Sequence, residues 1–321
     1  MDYKLEQYVE NTLRRFAELD ISEKAVIFPL VSDLHTDFSD KDPCEPGERY
    51  SLNVLELLHR ADTHFKFDFF ADCGDVGLEL PGRKTRSEAS QLLELYAKVH
   101  HQSDKPAIIC MGNHDYCHGL VTPAEFGNLM NVPNVHKGYD FTFGENASFG
   151  FYDLQDKQVR AIFLNTGNSA FHMDEREFEF LRNALKLPSE EWSIMLFMHI
   201  CPHVKGSWDP EKKSNDSQLQ LAQILSEYTG FGGIFCGDSH FSAEFDFGGL
   251  PGFITQGYGG ATPSLVPSFA RMTPFNSAGN MLAEIVVFDP VKRRINLLRM
   301  GAGGEEADRS WFNGAFVSHL S

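Results

Sequence analysis

The apolar run Pro106-Ala107-Ile108-Ile109 leads directly into Cys110-Met111-Gly112-Asn113-His114-Asp115. An apolar run that stops at a glycine and then presents an amide, an imidazole and a carboxylate is typical of a buried strand with polar groups at its carboxyl end. Open α/β sheets place their binding sites at this end of their strands. Taken alone, Gly-Asn-His-Asp is also compatible with an ordinary polar turn. The interpretation therefore depends on whether the pattern recurs in the chain.

The pattern does recur, because further apolar runs of strand length end in the same kind of polar cluster. Asp33 and His35 follow the run 25–31, and Asp75 follows the run 65–71. His199 follows the run 193–198, and Asp238 and His240 follow the run 233–236. Buried carboxylates and imidazoles are costly unless they satisfy one another or a metal ion. Carboxylate, imidazole and amide oxygen together form a ligand set for Mn, Fe, Zn or Co, and two ions that share a carboxylate form a two-metal clamp.

The order of predicted elements indicates the fold class. Strands alternate with helices up to about residue 130, as in a parallel sheet built from βαβ units, and antiparallel strands follow. The predicted helices cover 3–18, a segment through Leu57 and Leu58, 86–100, 123–130, 174–185 and 217–228, and further strands cover 141–143, 149–154, 159–166, 252–256, 281–288 and 294–298. We therefore predict an α/β fold with two mixed β-sheets packed as a sandwich and flanked by helices. We expect a single domain over 1–321, with the metal motifs in 33–240 and the strands of 241–300 completing the second sheet.

Composition restricts the partners and the location. The net charge of −17 argues against stable binding to nucleic acid or to an anionic membrane surface, which needs a basic patch. No basic segment followed by an apolar one begins the chain, and no run approaches the ~18 apolar residues of a membrane span. The six cysteines include no CxxC pair, and those beside the polar motifs, Cys73, Cys110, Cys201 and Cys236, are expected to serve as small buried apolar groups. These features predict a cytoplasmic protein without a membrane span, and they leave its oligomeric state open.

The ordered motifs resemble those of the calcineurin-like metallophosphoesterases. The match extends over about residues 27–240 and includes Asp33-Leu34-His35, Gly74-Asp75, Gly112-Asn113-His114-Asp115, His199 and Gly237-Asp238-Ser239-His240. The family fold, a pair of mixed sheets flanked by helices, agrees with the predicted one. The resemblance implies two metal ions, one held by Asp33, His35, Asp75 and His240, the other by Asp75, Asn113, His199 and Asp238.

The resemblance also implies roles in catalysis. His114 would lie near the phosphate as electrostatic partner or general acid, with Asp115 as the carboxylate that orients it. Asn113 and His114 would contact the substrate. His203 is expected to be a loop or substrate-side residue, and the alternative is that it completes the second metal site. The remaining histidines that we considered, His100, His101, His118 and His136, are interpreted as surface or helix-face residues.

Asp238 differs from the family pattern, which usually has histidine there. A carboxylate is still a ligand, but it is harder and carries a negative charge, so Mn or Fe is expected, with Zn, Co or Ni as alternatives. The predicted function is hydrolysis of a phosphomonoester or phosphodiester by a hydroxide that bridges the two ions. The metals would then supply the positive charge that a phosphorylated substrate requires from an acidic protein.

Two other functions remain open from the sequence. One is a binding or scaffold protein that keeps the fold with a weakened second metal site, and the presence of His114 argues against it. The other is a metallohydrolase acting on a non-phosphate bond, for which the Asn113-His114 pair would be unexpected. The substrate itself is undetermined, because the loops 36–50 and 257–279 are expected to select it.

Overall fold

The computed structural model describes residues 3–35, 50–77, 85–203, 214–255, 282–301 and 304–318. Within these ranges the chain forms seven α-helices and two seven-stranded β-sheets. The helices are α1 (Tyr3–Ala17), α2 (Tyr50–Phe65), α3 (Arg86–His100), α4 (Pro123–Met130), α5 (Pro133–His136), α6 (Glu175–Ala184) and α7 (Asp216–Ser226). The strands are β1 (Val26–Val31), β2 (Phe70–Asp72), β3 (Ala107–Ile109), β4 (Phe141–Phe143), β5 (Gly150–Leu154), β6 (Val159–Phe163), β7 (Ser193–Phe197), β8 (Gly232–Cys236), β9 (Ala243–Phe247), β10 (Leu250–Ile254), β11 (Leu282–Asp289), β12 (Arg294–Gly301), β13 (Arg309–Phe312) and β14 (Ala315–Ser318).

The first sheet has the strand order β14-β13-β12-β11-β1-β2-β3. Strands β1, β2 and β3 are parallel, with α2 and α3 between them in the chain, as the alternation of the sequence predicts. β11 pairs antiparallel with the other edge of β1, and β12, β13 and β14 continue as an antiparallel meander. The carboxyl ends of β1, β2 and β3 consequently lie at one edge of the sheet.

The second sheet has the order β4-β5-β6-β7-β8-β10-β9. Its centre is parallel, since β6, β7, β8 and β10 run in the same direction. β4, β5 and β9 pair antiparallel at its two sides. This sheet therefore also collects the carboxyl ends of several strands at one edge.

Aromatic side chains fill the space between the two sheets. Phe28 of β1 meets Phe197 of β7 and Phe235 of β8 edge to face, with 5.6 Å between ring centroids in both pairs. These rings belong to one buried cluster that contains residues of both sheets. Helices α1 to α4 pack on the outer face of the first sheet, and α6 and α7 pack on that of the second. The predicted fold class, two mixed sheets forming a sandwich flanked by helices, is confirmed.

The C-terminal strands divide between the sheets, which corrects the prediction that residues 241–300 complete the second one. β9 and β10 do join the second sheet, whereas β11 and β12 belong to the first. On β11, Ile285 and Val286 point to opposite faces and are both fully buried. A strand that is apolar on both faces suits the centre of a covered sheet, and β11 occupies such a place beside β1.

Two smaller predictions are also wrong. The apolar run 65–71 is not one strand, because α2 continues to Phe65 and β2 comprises only Phe70–Asp72. A short apolar run cannot distinguish a buried strand from the end of a buried helix. His100, interpreted as a surface or helix-face residue, is only 1% exposed, because α3 turns it toward the first sheet.

Several predicted features fall outside the described residues: the loops 36–49 and 257–279, Cys44, and the strand ends at Gln256 and Met281. Strands β9, β13 and β14 and the short helix α5 are additions to the predicted set. In the described part of the chain, none of the helices has the length and apolar character needed to span a bilayer.

Candidate metal centre

The predicted ligands come together where the parallel strands of both sheets end. They follow β1 (Asp33, His35), β2 (Asp75), β3 (Asn113), β7 (His199) and β8 (Asp238, His240). Because the two sheets face each other with their strand ends at the same edge, residues up to 205 positions apart in the chain approach within hydrogen-bonding distance. The sandwich thus assembles the site that the sequence distributes over five loops.

The backbone at these positions is unusual. Asp33, His35, Asp75, Asp238 and His240 adopt φ values of 53°, 44°, 55°, 66° and 55°, in the left-handed region. For residues other than glycine this conformation costs on the order of 1–2 kcal/mol each. Such strain persists where the surrounding structure over-determines it, and it concentrates at functional sites.

Four of the ligands form a first cluster. The ligand atoms of Asp33, His35, Asp75 and His240 all lie within 4.8 Å of one another. The Nε2 atom of His240 lies 3.1 Å from Asp33 Oδ1 and 3.3 Å from His35 Nε2. Atoms that bind one ion at about 2.1 Å and at right angles to each other are about 3.0 Å apart. These separations therefore suit a common ion.

Asp33 shows most directly that the cluster fits a cation. Its Oδ2 atom accepts hydrogen bonds from Ser32 Oγ at 2.5 Å and from the Asp238 backbone N–H at 3.1 Å. Its Oδ1 atom is buried and lies 3.1 Å from His240 Nε2, but it forms no hydrogen bond of acceptable geometry among the described residues. An unsatisfied buried carboxylate oxygen is costly, and a metal ion would satisfy it.

A second cluster surrounds His199. The Nδ1 atom of this fully buried ring lies 2.7 Å from the Cys73 carbonyl oxygen, to which it donates, so that Nε2 is left as the ligating atom. Nε2 lies 2.9 Å from Asn113 Oδ1, 3.2 Å from Asp75 Oδ2 and 3.7 Å from Asp238 Oδ1. One imidazole nitrogen thus stands beside three oxygens, the set implied for the second ion.

Asp75 belongs to both clusters. Its Oδ2 atom lies 3.8 Å from His35 Nε2 in the first cluster and 3.2 Å from His199 Nε2 in the second. Its Oδ1 atom accepts the backbone N–H of His114 at 2.8 Å, which fixes the carboxylate plane. A single carboxylate oxygen thus lies between two sets of potential ligands.

In the metal-free protein the electrostatics favour the metal-binding forms of His35 and Asp75, whereas they favour a protonated ring at His199. Burial lowers the pKa of His35 to about 4, so its ring is neutral at pH 7. Burial alone would raise the pKa of Asp75. The charge of the His199 ring and its hydrogen bond to Asp75 outweigh this effect and hold the Asp75 pKa below its usual range. Burial likewise lowers the pKa of His199, yet the adjacent Asp75 carboxylate outweighs it and raises that pKa. Bound metal would take the place of this proton on His199.

Two glycines make the close approach of these loops sterically feasible. A Cβ atom on Gly112 would lie 2.1 Å from Asp75 Oδ1. A Cβ atom on Gly237 would lie 1.9 Å from Ser32 Oγ and 2.8 Å from Asp33 Oδ2. These glycines precede the Asn113 and Asp238 positions and leave room for a carboxylate from the neighbouring loop.

His114 stands at the margin of the clusters. Its side chain is 37% exposed, and its Nε2 atom lies 4.0 Å from Asp75 Oδ2. The centroid of its ring is 5.2 Å from that of His35. His114 is therefore accessible to a molecule that approaches the centre from solvent.

The structure places Asp115 differently from its predicted role as the carboxylate that orients His114. Asp115 is fully buried, and its two oxygens accept four backbone N–H groups, from Asp75 and Gly112 on Oδ2 and from Val76 and Gly77 on Oδ1, at 2.8–3.1 Å. The N–H groups of the turn after β2 need acceptors, and this buried carboxylate supplies them. Asp115 thus braces the loop that carries Asp75.

The side chain of His203 packs against an aromatic ring. Its ring stacks on Phe245 of β9, with 5.6 Å between centroids and 24° between planes, on the helix-facing side of the second sheet. Among the described residues, the first cluster does not include it.

Two groups that contact the site were not predicted from the sequence, the carbonyl of Cys73 and the hydroxyl of Ser32. Every residue carries a carbonyl, and a serine beside an aspartate is common, so neither gave a recognisable signal.

The family model for calcineurin-like phosphoesterases matches residues 29–242, which include every ligand position from Asp33 to His240. The chain belongs to this family. Members of the family are usually hydrolases of phosphorylated substrates and use divalent metals, and the cluster of Asp33, His35, Asp75 and His240 could bind such a metal.

Two solved structures of similar fold are distant from this chain in sequence. A dimetal phosphatase from Danio rerio aligns with a TM-score of 0.59 at 11% identity, over 89% of this chain and 98% of that one. The anchor protein of the inner membrane complex of Plasmodium aligns with a TM-score of 0.51 at 13% identity, over 88% and 86%. At such identities the likeness concerns the fold alone. None of the curated proteins compared with the chain matches it.

Proposed function

We propose that this calcineurin-like phosphoesterase is a dinuclear metal-dependent enzyme that hydrolyses a phosphomonoester or a phosphodiester. The observation that carries the proposal is the position of Asp75 Oδ2 between His35 Nε2 at 3.8 Å and His199 Nε2 at 3.2 Å. One ion would be held by Asp33, His35, Asp75 and His240. The other would be held by Asp75, Asn113, His199 and Asp238.

The two ions, when bound, supply a water activated at neutral pH and positive charge for the phosphate. Mn or Fe suits this donor set best, because three carboxylates and an amide oxygen accompany three imidazoles, with Zn, Co or Ni as alternatives. A chain with net charge −17 also needs cations at the site in order to bind an anionic substrate.

The chain's own residues have distinct roles in this reaction. His114 is exposed beside Asp75, so it is placed to bind a phosphate oxygen and to hold the proton that the leaving group takes. Asn113 Oδ1, 2.9 Å from His199 Nε2, would bind the same ion as that ring and so hold the loop on which His114 stands. Asp115 keeps the turn 75–77 in place through its backbone hydrogen bonds.

The direct test is hydrolysis by the purified protein loaded with Mn²⁺, Fe²⁺ or Zn²⁺. We expect release of p-nitrophenol from p-nitrophenyl phosphate or from its bis ester, and cyclic nucleotides extend the panel toward natural diesters. The variant Asp75→Asn should be inactive, because it weakens both proposed sites at once. Equal turnover by Asp75→Asn and wild type would overturn the proposal, as would the absence of turnover with every metal and substrate.

A further inference from the structure

A buried polar group lies behind the metal centre, on the helix-facing side of the first sheet. Asp72, the last residue of β2, is 1% exposed and stands three positions before Asp75. Its Oδ2 atom accepts a hydrogen bond from the hydroxyl of Tyr96 on α3 and lies 3.5 Å from His100 Nε2 on the same helix. Tyr96 and His100 are 0% and 1% exposed. We name these three residues the Asp72 group.

Apart from the rings of His59 and His101, whose centroids are 6.4 Å and 6.3 Å from that of His100, the neighbours of this group are mainly apolar. Asp72 is in register with Val31 of β1 and Ile109 of β3, which both belong to the core between the sheet and its helices. A buried carboxylate costs several kcal/mol before its partners compensate, and a well-packed apolar side chain would often be more stabilising. Overall stability alone therefore does not explain an aspartate at this position, whereas a requirement for one particular local structure does.

That local structure is the turn that carries Asp75. The other oxygen of Asp72, Oδ1, accepts the backbone N–H of Gly74 at 2.9 Å. Gly74 has φ of 98°, and a Cβ atom there would lie 2.7 Å from Gly112 N, so the turn has little freedom to form in another way. Asp72 consequently fixes the Cys73–Gly74 peptide, which is followed directly by the peptide that joins Gly74 to Asp75.

The same turn also holds the loop after β1. The carbonyl of Gly74 accepts the N–H of Asp33 at 2.8 Å, and the carbonyl of Asp75 accepts the N–H of His35 at 3.0 Å. The orientation of these two peptides thus determines where Asp33 and His35 stand. One carboxylate outside the clusters is linked in this way to three residues of the first cluster.

We propose that Asp72 is a positioning residue of the metal centre and that the hydroxyl of Tyr96 holds it in place. The packing of α3 would then affect Asp75, and through it Asp33 and His35, by way of the Cys73–Gly74 peptide and the two peptides that follow it. This inference rests on the metal centre proposed above, but it makes a separate statement about the turn in the metal-free protein.

The test compares three substitutions with a matched control. Asp72→Leu removes both acceptors, Asp72→Asn keeps an oxygen for the Gly74 N–H, and Tyr96→Phe removes one hydroxyl. The control is Asp289→Leu, because Asp289 is also 1% exposed and also organises a turn, accepting from Ser22, Val291 and Lys292 at the opposite end of the same sheet.

Two measurements are made on each full-length variant: Mn²⁺ affinity by calorimetry, and hydrogen exchange of the metal-free protein in peptides covering 33–35 and 73–77. We expect Asp72→Leu to weaken Mn²⁺ binding about 10- to 100-fold and to speed exchange in both peptides. Asp72→Asn should restore most of the affinity, and Tyr96→Phe should be intermediate. Asp289→Leu should lower the melting temperature without either effect.

Wild-type affinity together with wild-type exchange in Asp72→Leu would overturn the inference, and so would equal effects of Asp72→Leu and Asp289→Leu. If Asp72→Leu does not fold, Tyr96→Phe decides, because it removes a single hydroxyl and must still speed exchange at 73–77. Failure of the wild-type protein to bind Mn²⁺ would instead count against the proposed function, and the exchange data would still decide the role of Asp72.

Discussion

The site residues His114 and Asp238 have side chains that are partly exposed to solvent. The side chains of Asp75 and His199 are almost fully buried, whereas those of His114 and Asp238 are 37% and 30% exposed. A partly exposed group can meet a substrate or exchange a ligand with solvent. Substitutions at these two positions should therefore separate catalysis from metal binding.

Replacing His114 by Gln should reduce kcat about 10²-fold or more while metal content stays near that of the wild type, because in the proposed mechanism the ring stands beside the clusters and would supply a proton. Steady-state kinetics and elemental analysis check this result. His136→Gln is the control, since His136 is an exposed histidine on α5. Loss of metal from His114→Gln would make this residue a ligand.

Replacing Asp238 by His should shift the metal preference of the second site from Mn²⁺ or Fe toward Zn²⁺ or Co²⁺, because an imidazole is softer and uncharged. Asp238→Ala should lower the metal content from two ions to one, since the first cluster does not include Asp238. Elemental analysis after equilibrium dialysis measures both. If Asp238→Ala kept two ions and full activity, another group would have to complete the second site.

At the scale of single elements, the site depends on how each strand ends. Left-handed backbone conformations follow the ends of three strands, at Asp33 after β1, Asp75 after β2 and Asp238 after β8. Each of these residues turns the backbone sharply at the edge of its sheet. Backbone hydrogen bonds then join the turns, as between Asp33 N–H and the Gly74 carbonyl at 2.8 Å. Hydrogen bonds between the turns thus stabilise the strained backbone conformations.

Helix α6 carries a buried carboxyl whose titration should affect stability. Glu177 is 5% exposed, accepts the N–H of Asn165, and burial raises its pKa to about 8. The unfolded chain ionises near the usual glutamate pKa, about 4.3, while the folded protein keeps the proton. Folding therefore loses stability through this group as pH rises from about 4.3 to 8.

The variant Glu177→Gln cannot ionise and keeps an oxygen for the Asn165 N–H. We expect its melting temperature to be close to that of the wild type at pH 5 and higher at pH 8. Glu179→Gln, an exposed neighbour on the same helix, is the control and should show no such pH dependence. A constant difference between Glu177→Gln and wild type across this pH range would contradict the assignment. Thermal melts at constant ionic strength measure the effect.

At the scale of the whole molecule, the residues of the candidate metal centre come from both sheets. Asp33, His35 and Asp75 come from the first sheet, and His199 and His240 come from the second. An ion that binds the folded chain and not the unfolded one stabilises it by about 2.7 kcal/mol at a free concentration about 100 times Kd. Metal should therefore stabilise the sandwich as a unit.

Dialysis against a chelator should remove up to two transition-metal ions per chain and lower the melting temperature, and added Mn²⁺ should restore it. Asp75→Asn should show little response, because it disturbs both clusters. Elemental analysis with calorimetry in the presence and absence of chelator checks the expectation. A protein that contains no transition metal and does not respond to Mn²⁺ would contradict a metal centre of any kind.

The sequence by itself determined the strand ends and the residue types that follow them, because apolar periodicity and glycine breaks are local properties. It identified Asp33, His35, Asp75, His199 and His240 as candidates. The same local patterns predicted most of the helices that pack on the outer faces of the two sheets.

Only the tertiary structure decided which partner each polar group has. It assigned Asp115 to backbone N–H groups, placed β11 beside β1, and buried Asp72 and His100 together behind the site. It also put Asp75 Oδ2 between two histidines that are 164 positions apart in the chain. These arrangements depend on contacts between residues distant in sequence, and no local pattern specifies which distant residues will meet.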